Sequence, residues 1–405
     1  MELVSVRVEA SPSARGRVRL VGDVAYDDRP GTSEPYWFDV PEEFAADLSL
    51  SGNPWLACLL PLAVVRREPL RLCRPCDPGL IANAARLMEI WSRWDRRRRP
   101  VSIEASRGTT EPGPSPREAA AFFSGGIDSF FMALRNAEDS AAGKVPKFDR
   151  VISVWGFDIP IEAGGEYARL KLRLTEAAER LGWPLLDVAT NLRAVRFREA
   201  DWGRLAHGGA MAGIGLALEP RFHSLCVAAT HDDAGLYPWG SHPDTDPLFS
   251  TSITRMRNVG AGVPRSEKTL FVSRSEAAMR ALHVCYKTST ADNCCNCRKC
   301  LLAMATLEVA GVLDRCPPLC RRRLDLDQVR RLYLRAPSYR HMYGDVARRA
   351  RASGRSDLAE AISAAIRRSR LMKPWLVILQ WLGTKRGVWR IARRLRLRTL
   401  EGSVQ

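Results

Sequence analysis

The chain has 405 residues, 46% of them hydrophobic, which supports a sizeable core and two or three domains and excludes a disordered or fibrous protein. None of its apolar runs, residues 375–379 among them, is long enough to span a bilayer. The formal charge of +17 is unevenly placed, because residues 321–400 hold 22 Lys and Arg against 5 Asp and Glu and the remainder is nearly neutral.

Residues 1–105 read as a small α+β domain. Alternating apolar positions predict strands over 3–8, 18–26 and 36–40. Asp77-Pro78 is an N-cap and N1 pair for a helix with Leu80, Ala84, Leu87, Met88 and Trp91 on one face, a stripe that reads as core. Cys73 and Cys76 form a lone C-x2-C with no second pair nearby and carry no assigned role. Residues 106–117, with Gly108, Pro112, Gly113, Pro114 and Pro116, read as a linker.

A catalytic domain is expected over 118–315. Apolar runs at 119–123, 151–155, 185–188 and 225–230 alternate with helical patterns at 130–135, 166–181 and 207–218. Strands alternating with helices predict an α/β fold, a parallel doubly wound sheet with helices on both faces. Ligands of such sheets bind beyond the carboxyl ends of the strands. Residues 316–405 read as a basic, mainly helical tail.

The first of these strands leads into Ser124-Gly125-Gly126-Ile127-Asp128-Ser129 and then a helix. Two glycines let the main chain approach an anion closely, and a helix start adds free N–H groups and partial positive charge. Ser124 and Ser129 can donate hydroxyl hydrogen bonds, while Asp128 can hold Mg²⁺ or cap the helix. No Gly-Lys-Ser/Thr follows, so this is not the Walker loop, and the dinucleotide fingerprint lacks its third glycine.

Cys285, Cys294, Cys297 and Cys300 follow a C-x8-C-x2-C-x2-C spacing. Four thiolates within sixteen residues suit a closed tetrahedral Zn²⁺ site, with Cys295 as the spare. Thiolate spacing alone does not separate zinc from an iron–sulfur cluster. Eleven cysteines behind an N-terminus that reads as a strand, with no apolar leader, point to a reducing cytoplasm.

The loop resembles the SGGxDS pyrophosphate loop of ATP pyrophosphatases, which cleave ATP between the α and β phosphates. Together with the cysteine spacing it resembles one family, the 7-cyano-7-deazaguanine synthases, over about residues 119–310. That resemblance implies ATP, Mg²⁺ and a structural Zn²⁺ held by Cys285, Cys294, Cys297 and Cys300. It also implies adenylation of 7-carboxy-7-deazaguanine, then attack by ammonia to give an amide and finally a nitrile. Two departures mark a divergent relative, similar to the long synthase-like proteins of bacterial defence operons. The family's Tyr-Pro-Asp-Cys run is Tyr237-Pro238-Trp239-Gly240 here, and Trp155-Gly156-Phe157-Asp158 does not align with the family's residues after the second strand. The acceptor is accordingly open between ammonia and a protein amine.

Ser124, Asp128 and Lys268 are the expected catalytic residues. The nucleotide is expected to meet Ser124, Gly125, Gly126, Asp128, Ser129, Arg265 and Lys268, the last two because relatives place a cation near the phosphates. Asp158 and Asn191 follow predicted strands and either read the adenine or ribose or cap turns. Tyr237, Ser241, His242, Asp244 and Asp246 are expected to shape the acyl-substrate pocket, with Asp244 or Asp246 on a guanidine-like edge. His207 opens a helix and has no assigned catalytic role.

Trp375, Trp381 and Trp389, followed by Arg390, Arg393, Arg394, Arg396 and Arg398, give the tail three candidate partners besides its own protein: nucleic acid, an acidic protein or a membrane surface. A homodimer is expected. Two other functions use the same residues, a tRNA sulfur-transfer enzyme with an iron–sulfur cluster and a non-catalytic nucleotide-binding adaptor.

Overall fold

The computed structural model describes residues 1–12, 15–114 and 117–383. Its strands are β1 (Glu2–Ala10), β2 (Arg17–Ala25), β3 (Ser33–Pro41), β4 (Leu70–Leu72), β5 (Ile103–Glu104), β6 (Glu118–Phe122), β7 (Arg150–Trp155), β8 (Leu185–Thr190), β9 (Phe222–Ala228) and β10 (Arg255–Val259). They form a single ten-stranded sheet in the order β10-β9-β6-β7-β8-β3-β2-β1-β4-β5. The stretch from β10 to β8 is wholly parallel, whereas β3, β2 and β1 join it antiparallel. The fold is therefore α/β with a mostly parallel sheet.

Parallel strands are covered on both faces, so their side chains alternate between two cores. Ile152 of β7 packs with Leu186, Leu225 and the first helices of the chain. Its neighbour Val151 packs with Phe130, Leu170 and Leu174 on the opposite face. The first face is covered by α1 (Asn53–Arg66), α2 (Pro78–Trp94) and, later in the chain, α5 (His207–Ala217); α3 (Ile127–Ala141) and α4 (Gly164–Arg180) lie on the second.

Residues 1–105 extend the same sheet as residues 118–259. Phe38 pairs with Thr190 and Asp39 with Ala189 across β3 and β8. Below that seam Arg17 bonds both Asp39 and Asp187, and Asp187 also accepts from Tyr167 and Lys171, each at 2.6 Å. Helices α1 and α5 meet closely, because a Cβ on Gly213 would lie 2.8 Å from that of Cys58. Packing this tight leaves no room for a side chain.

After β10 come α6 (Arg265–Val272), α7 (Glu276–Ala281), α8 (Arg298–Val309), α9 (Pro317–Cys320), α10 (Leu326–Arg331), α11 (Pro337–Ala352) and α12 (Ser356–Gly383). The beginning of the expected tail is part of the core. Leu319, Val329, Leu334, Tyr343, Val346 and Ile362 are buried with Leu301 and Met304 of α8, and the Tyr343 hydroxyl donates to the Arg298 carbonyl at 2.8 Å. The arginines on these helices face outward from an apolar seam, so the local basic composition accompanies a docked helical block. Trp389 and the arginines from Arg390 to Arg398 lie outside the described residues, and Trp375 and Trp381 lie on α12. Among the described residues, no helix is long and apolar enough to cross a membrane.

Candidate functional site

The connection from β6 to α3 is the glycine loop. Helix α3 begins at Ile127, with Gly126 at its N-cap, three residues earlier than the pattern from Phe130 predicts. Asp128 thus lies in the first turn and does not cap. The first intrahelical bond runs from the Phe130 N–H to the Gly126 carbonyl, so the N–H groups of Ile127, Asp128 and Ser129 have no helical acceptor. Ser129 Oγ donates to the Gly126 carbonyl at 3.1 Å and lies 3.4 Å from Ser124 Oγ, while Ser124 is exposed at the mouth of the loop.

Gly125 takes φ +74°, and a Cβ there would sit 2.5 Å from Leu174 Cδ2 of α4. Only glycine satisfies both the left-handed backbone and the close approach. The Gly125 carbonyl accepts from the His283 N–H at 2.8 Å, which fastens the loop to the segment preceding the cysteines.

Helix α6 delivers its cations to Asp128. Arg265 Nη1 bonds Asp128 Oδ2, and Lys268 Nζ lies 3.8 Å from Oδ1. Lys268 is 1% exposed and donates to the Ala229 carbonyl at 2.6 Å, just past the end of β9. Burial lowers its pKa, and the neighbouring Asp128 opposes that. Asp128 Oδ1 is buried without a hydrogen bond. Ser124, Asp128, Ser129, Arg265 and Lys268 are therefore brought together, with Lys268 beneath the loop and not displayed to solvent. Helix α11 supports this arrangement from outside: Asp345 accepts from Ser266, and His341 Nε2 meets Asp232 Oδ2 at 2.8 Å.

Beyond the same strand ends stands a row of aromatic rings that no local pattern announces. Phe157 meets Trp202 edge-on at 4.7 Å, Trp202 lies 5.8 Å from His207, and His207 lies 5.7 Å from Trp239. Tyr237 continues the row at 5.5 Å from Trp239 and 4.8 Å from His231. Arg193 caps it, 4.9 Å over the Trp202 ring and bonded to the Phe157 carbonyl at 2.7 Å. The turn after β7 is pressed against β8, since a Cβ on Gly156 (φ +104°) would lie 2.0 Å from the Thr190 carbonyl oxygen. A wall of this kind suits stacking of a flat heterocycle. His231 is 7% exposed, and neither ring nitrogen has a hydrogen-bond partner.

Several expected site residues have other uses. Asn191 accepts from the Trp37 N–H at 3.0 Å and donates to the Pro35 carbonyl at 2.8 Å. Its amide thus stitches β3 beside β8 and is not presented to a nucleotide. Asp246 is fully buried and accepts from Ser241 Oγ, Asn258 Nδ2 and the His242 N–H at 2.6, 2.7 and 3.1 Å. Burial pushes its pKa up to about 6. It holds its own loop together and is not available to a guanidine-like edge. His242 packs edge-on against Trp94 at 5.1 Å and accepts from the Asp244 N–H, which leaves Asp244 outermost and exposed. Of the five expected pocket residues, Tyr237 alone stands in the aromatic row. Asp158 is exposed on the turn after β7, where its charge reaches Arg193 and His207.

Cys285, Cys294, Cys297 and Cys300 form a cluster whose sulfurs all lie within 4.8 Å of one another. The Cys294–Cys300 and Cys297–Cys300 separations are 3.8 and 3.5 Å. A tetrahedral ion with metal–sulfur bonds of about 2.3 Å needs sulfurs roughly 3.8 Å apart, so the four residues fit. The Cys297 and Cys300 N–H groups donate to the sulfurs of Cys294 and Cys297, at 3.3 and 3.5 Å. Cys295 faces away, toward the carbonyls of Pro318 and Leu319. This cluster could hold a metal ion such as zinc.

The sheet also has a cavity of about 940 Å³ on another surface, lined in part by Ala119, Met132, Cys226, Arg255 and Phe271. It contains none of the expected site residues. No protein-family model matches the chain, and no curated protein or solved structure matches it significantly.

Proposed function

We propose that the chain activates a carboxylate by adenylation, releasing pyrophosphate, and then transfers the acyl group to an amine. The observation that carries this reading is the meeting of the Ser124–Ser129 loop with Arg265 and Lys268 around Asp128 at the strand ends. Three free N–H groups at a helix start and two cations suit a leaving pyrophosphate. The carboxylate oxygen attacks the α-phosphorus as the bond to the bridging oxygen breaks, and the loop and α6 receive the departing charge. Mg²⁺ bound to the ATP phosphates would supply further charge neutralisation. Holding both reactants in line makes the step effectively unimolecular.

The aromatic row gives the acyl group its character. Rings from Phe157 to Tyr237 favour a flat, conjugated carboxylic acid, and the resemblance of the loop and cysteines to the 7-cyano-7-deazaguanine synthases makes 7-carboxy-7-deazaguanine the first candidate. Zn²⁺ at the cysteines would be structural, since four protein sulfurs close its coordination. Held there it would steady Cys285 and the nearby His283, whose N–H bonds the Gly125 carbonyl of the loop.

The test uses ATP, Mg²⁺, 7-carboxy-7-deazaguanine and ammonium, with AMP, pyrophosphate and deazapurine mass followed together. AMP with an amide or nitrile product supports synthase-like chemistry. AMP that requires the deazapurine without either product supports another amine as acceptor. No AMP with any carboxylate overturns the reading, and visible absorption with bound iron would favour sulfur transfer instead.

A further inference from the structure

His231 lies three residues beyond the carboxyl end of β9, between the two halves of the site. On one side are the charges of Asp128 on α3, Arg265 and Lys268 on α6, and Asp232 beside it. On the other stand Tyr237 at 4.8 Å and Trp239 at 6.2 Å between ring centroids. An imidazole this deeply buried ordinarily has both nitrogens bonded, yet neither nitrogen of His231 has a partner. One donor and one acceptor are thus left unpaired between the charges around Asp128 and the aromatic row.

The other five of the six histidines are committed or elsewhere. His207 Nδ1 bonds the Trp202 carbonyl, His283 Nε2 the Thr290 carbonyl, and His242 Nδ1 the Asp244 N–H. His341 holds Asp232, and His223 is exposed near the opposite end of β9. Asp128 is engaged by Arg265.

We propose that His231 is the catalytic residue that takes the proton of the amine, a role that rests on the adenylation reading above. The amine nitrogen attacks the acyl carbon of the adenylate and becomes positively charged. Its proton passes to the unprotonated ring nitrogen of His231. The bond from the acyl carbon to the phosphate oxygen breaks, leaving its electron pair on AMP, and the products are an amide, AMP and an imidazolium that returns its proton to water. Desolvation keeps the free imidazole neutral, with its pKa held down at about 4, and the negative charge of a bound nucleotide raises its basicity.

The experiment compares wild type with His231→Ala and His231→Gln in two measurements. The first is carboxylate-dependent exchange of pyrophosphate into ATP, and the second is acyl transfer to ammonium and to hydroxylamine across pH. Exchange should change only a few fold. Transfer to ammonium should fall by about 10²–10⁴-fold, the usual contribution of a general base. Hydroxylamine is a weaker base whose nitrogen sheds its proton to water more readily after attack, so transfer to it should fall far less.

Equal losses for both nucleophiles, no loss for either, or loss of exchange in step with transfer would overturn the assignment. A wild type that exchanges no pyrophosphate overturns the adenylation reading and His231 with it; a wild type that exchanges beside variants that transfer normally overturns His231 alone. Should the variants fail to fold, ¹⁵N resonances of the wild-type imidazoles decide. His231 must shift when AMP and pyrophosphate are added together, and an unmoved signal contradicts the proposal.

Discussion

The N–H of His283 donates to the carbonyl of Gly125 at 2.8 Å, and Cys285 stands two residues further on. The glycine loop and the four-cysteine cluster are thus joined by two residues of backbone, and a metal held by the cysteines would steady the loop as well. Stripping the metal, or replacing Cys297 with Ala, should cost soluble protein and ATP turnover together, since metal binding at such sites is also folding free energy. Thermal unfolding and AMP release, measured on chelated protein and after zinc is restored, check this. Full activity at an unchanged melting temperature without metal would contradict it.

Asp128 gathers two buried cations. Replacing it with Ala should reduce AMP formation by about 10²–10³-fold, the scale for losing one preorganised electrostatic contact. Arg265 and Lys268, with side chains only 8% and 1% exposed, would then lack their anion, and breaking such a pair costs about 3–5 kcal/mol. Pyrophosphate should replace the missing charge. It is therefore expected to raise the melting temperature of the variant more than that of wild type, and an equal rise in both would argue against a phosphate site here.

Gly125→Ala combines a positive φ with a 2.5 Å approach to Leu174. The backbone strain alone is about 1–3 kcal/mol, and the loop must also move off α4. Gly143→Ala has φ +70° but open space around it, so it should cost only about 1–2 kcal/mol, the left-handed penalty by itself. Urea unfolding and AMP release of the two variants separate strain from contact: the first should lose both stability and activity, the second a little stability alone.

His231 sets a pH dependence of known sign. Burial holds its folded pKa at about 4, below the ordinary 6.5. As pH falls from about 6.5 to about 4 the unfolded chain takes up a proton that the folded one refuses, so folded stability declines. The full effect is about 3 kcal/mol. Wild type should therefore lose stability relative to His231→Gln across that interval, and a constant difference would mean that the folded imidazole titrates as it does in the unfolded chain.

Local chemistry was legible in the sequence and long-range pairing was not. The glycine loop and the cysteine spacing are contiguous motifs, and each folds as its residue types require: Gly125 in a left-handed turn, Cys297 at the start of α8. The alternation of strands and helices after residue 118 likewise follows from periodicity. Pairing of β3 with β8 joins residues about 150 apart in the chain, and nothing in either strand names its partner. That pairing turned Asn191 from a loop reader into a sheet staple. Asp246 looked like a surface ligand because polar turn-rich segments are usually exposed, yet Ser241 and Asn258 bury it. The aromatic row draws residues from three separate segments, after β7, β8 and β9, so only the fold brings it into view. His231 carried one signal, its position just past a predicted strand, and that is where ligands of a parallel sheet bind.

The most direct test of the central claim is ³¹P NMR of ATP turnover by wild type and Asp128→Ala with Mg²⁺ and a planar aromatic carboxylate, beginning with 7-carboxy-7-deazaguanine. Cleavage between the α and β phosphates, giving AMP and pyrophosphate from wild type only when the carboxylate is present and almost none from the variant, is the predicted result. Formation of ADP and phosphate, or equal pyrophosphate from the variant, would contradict it.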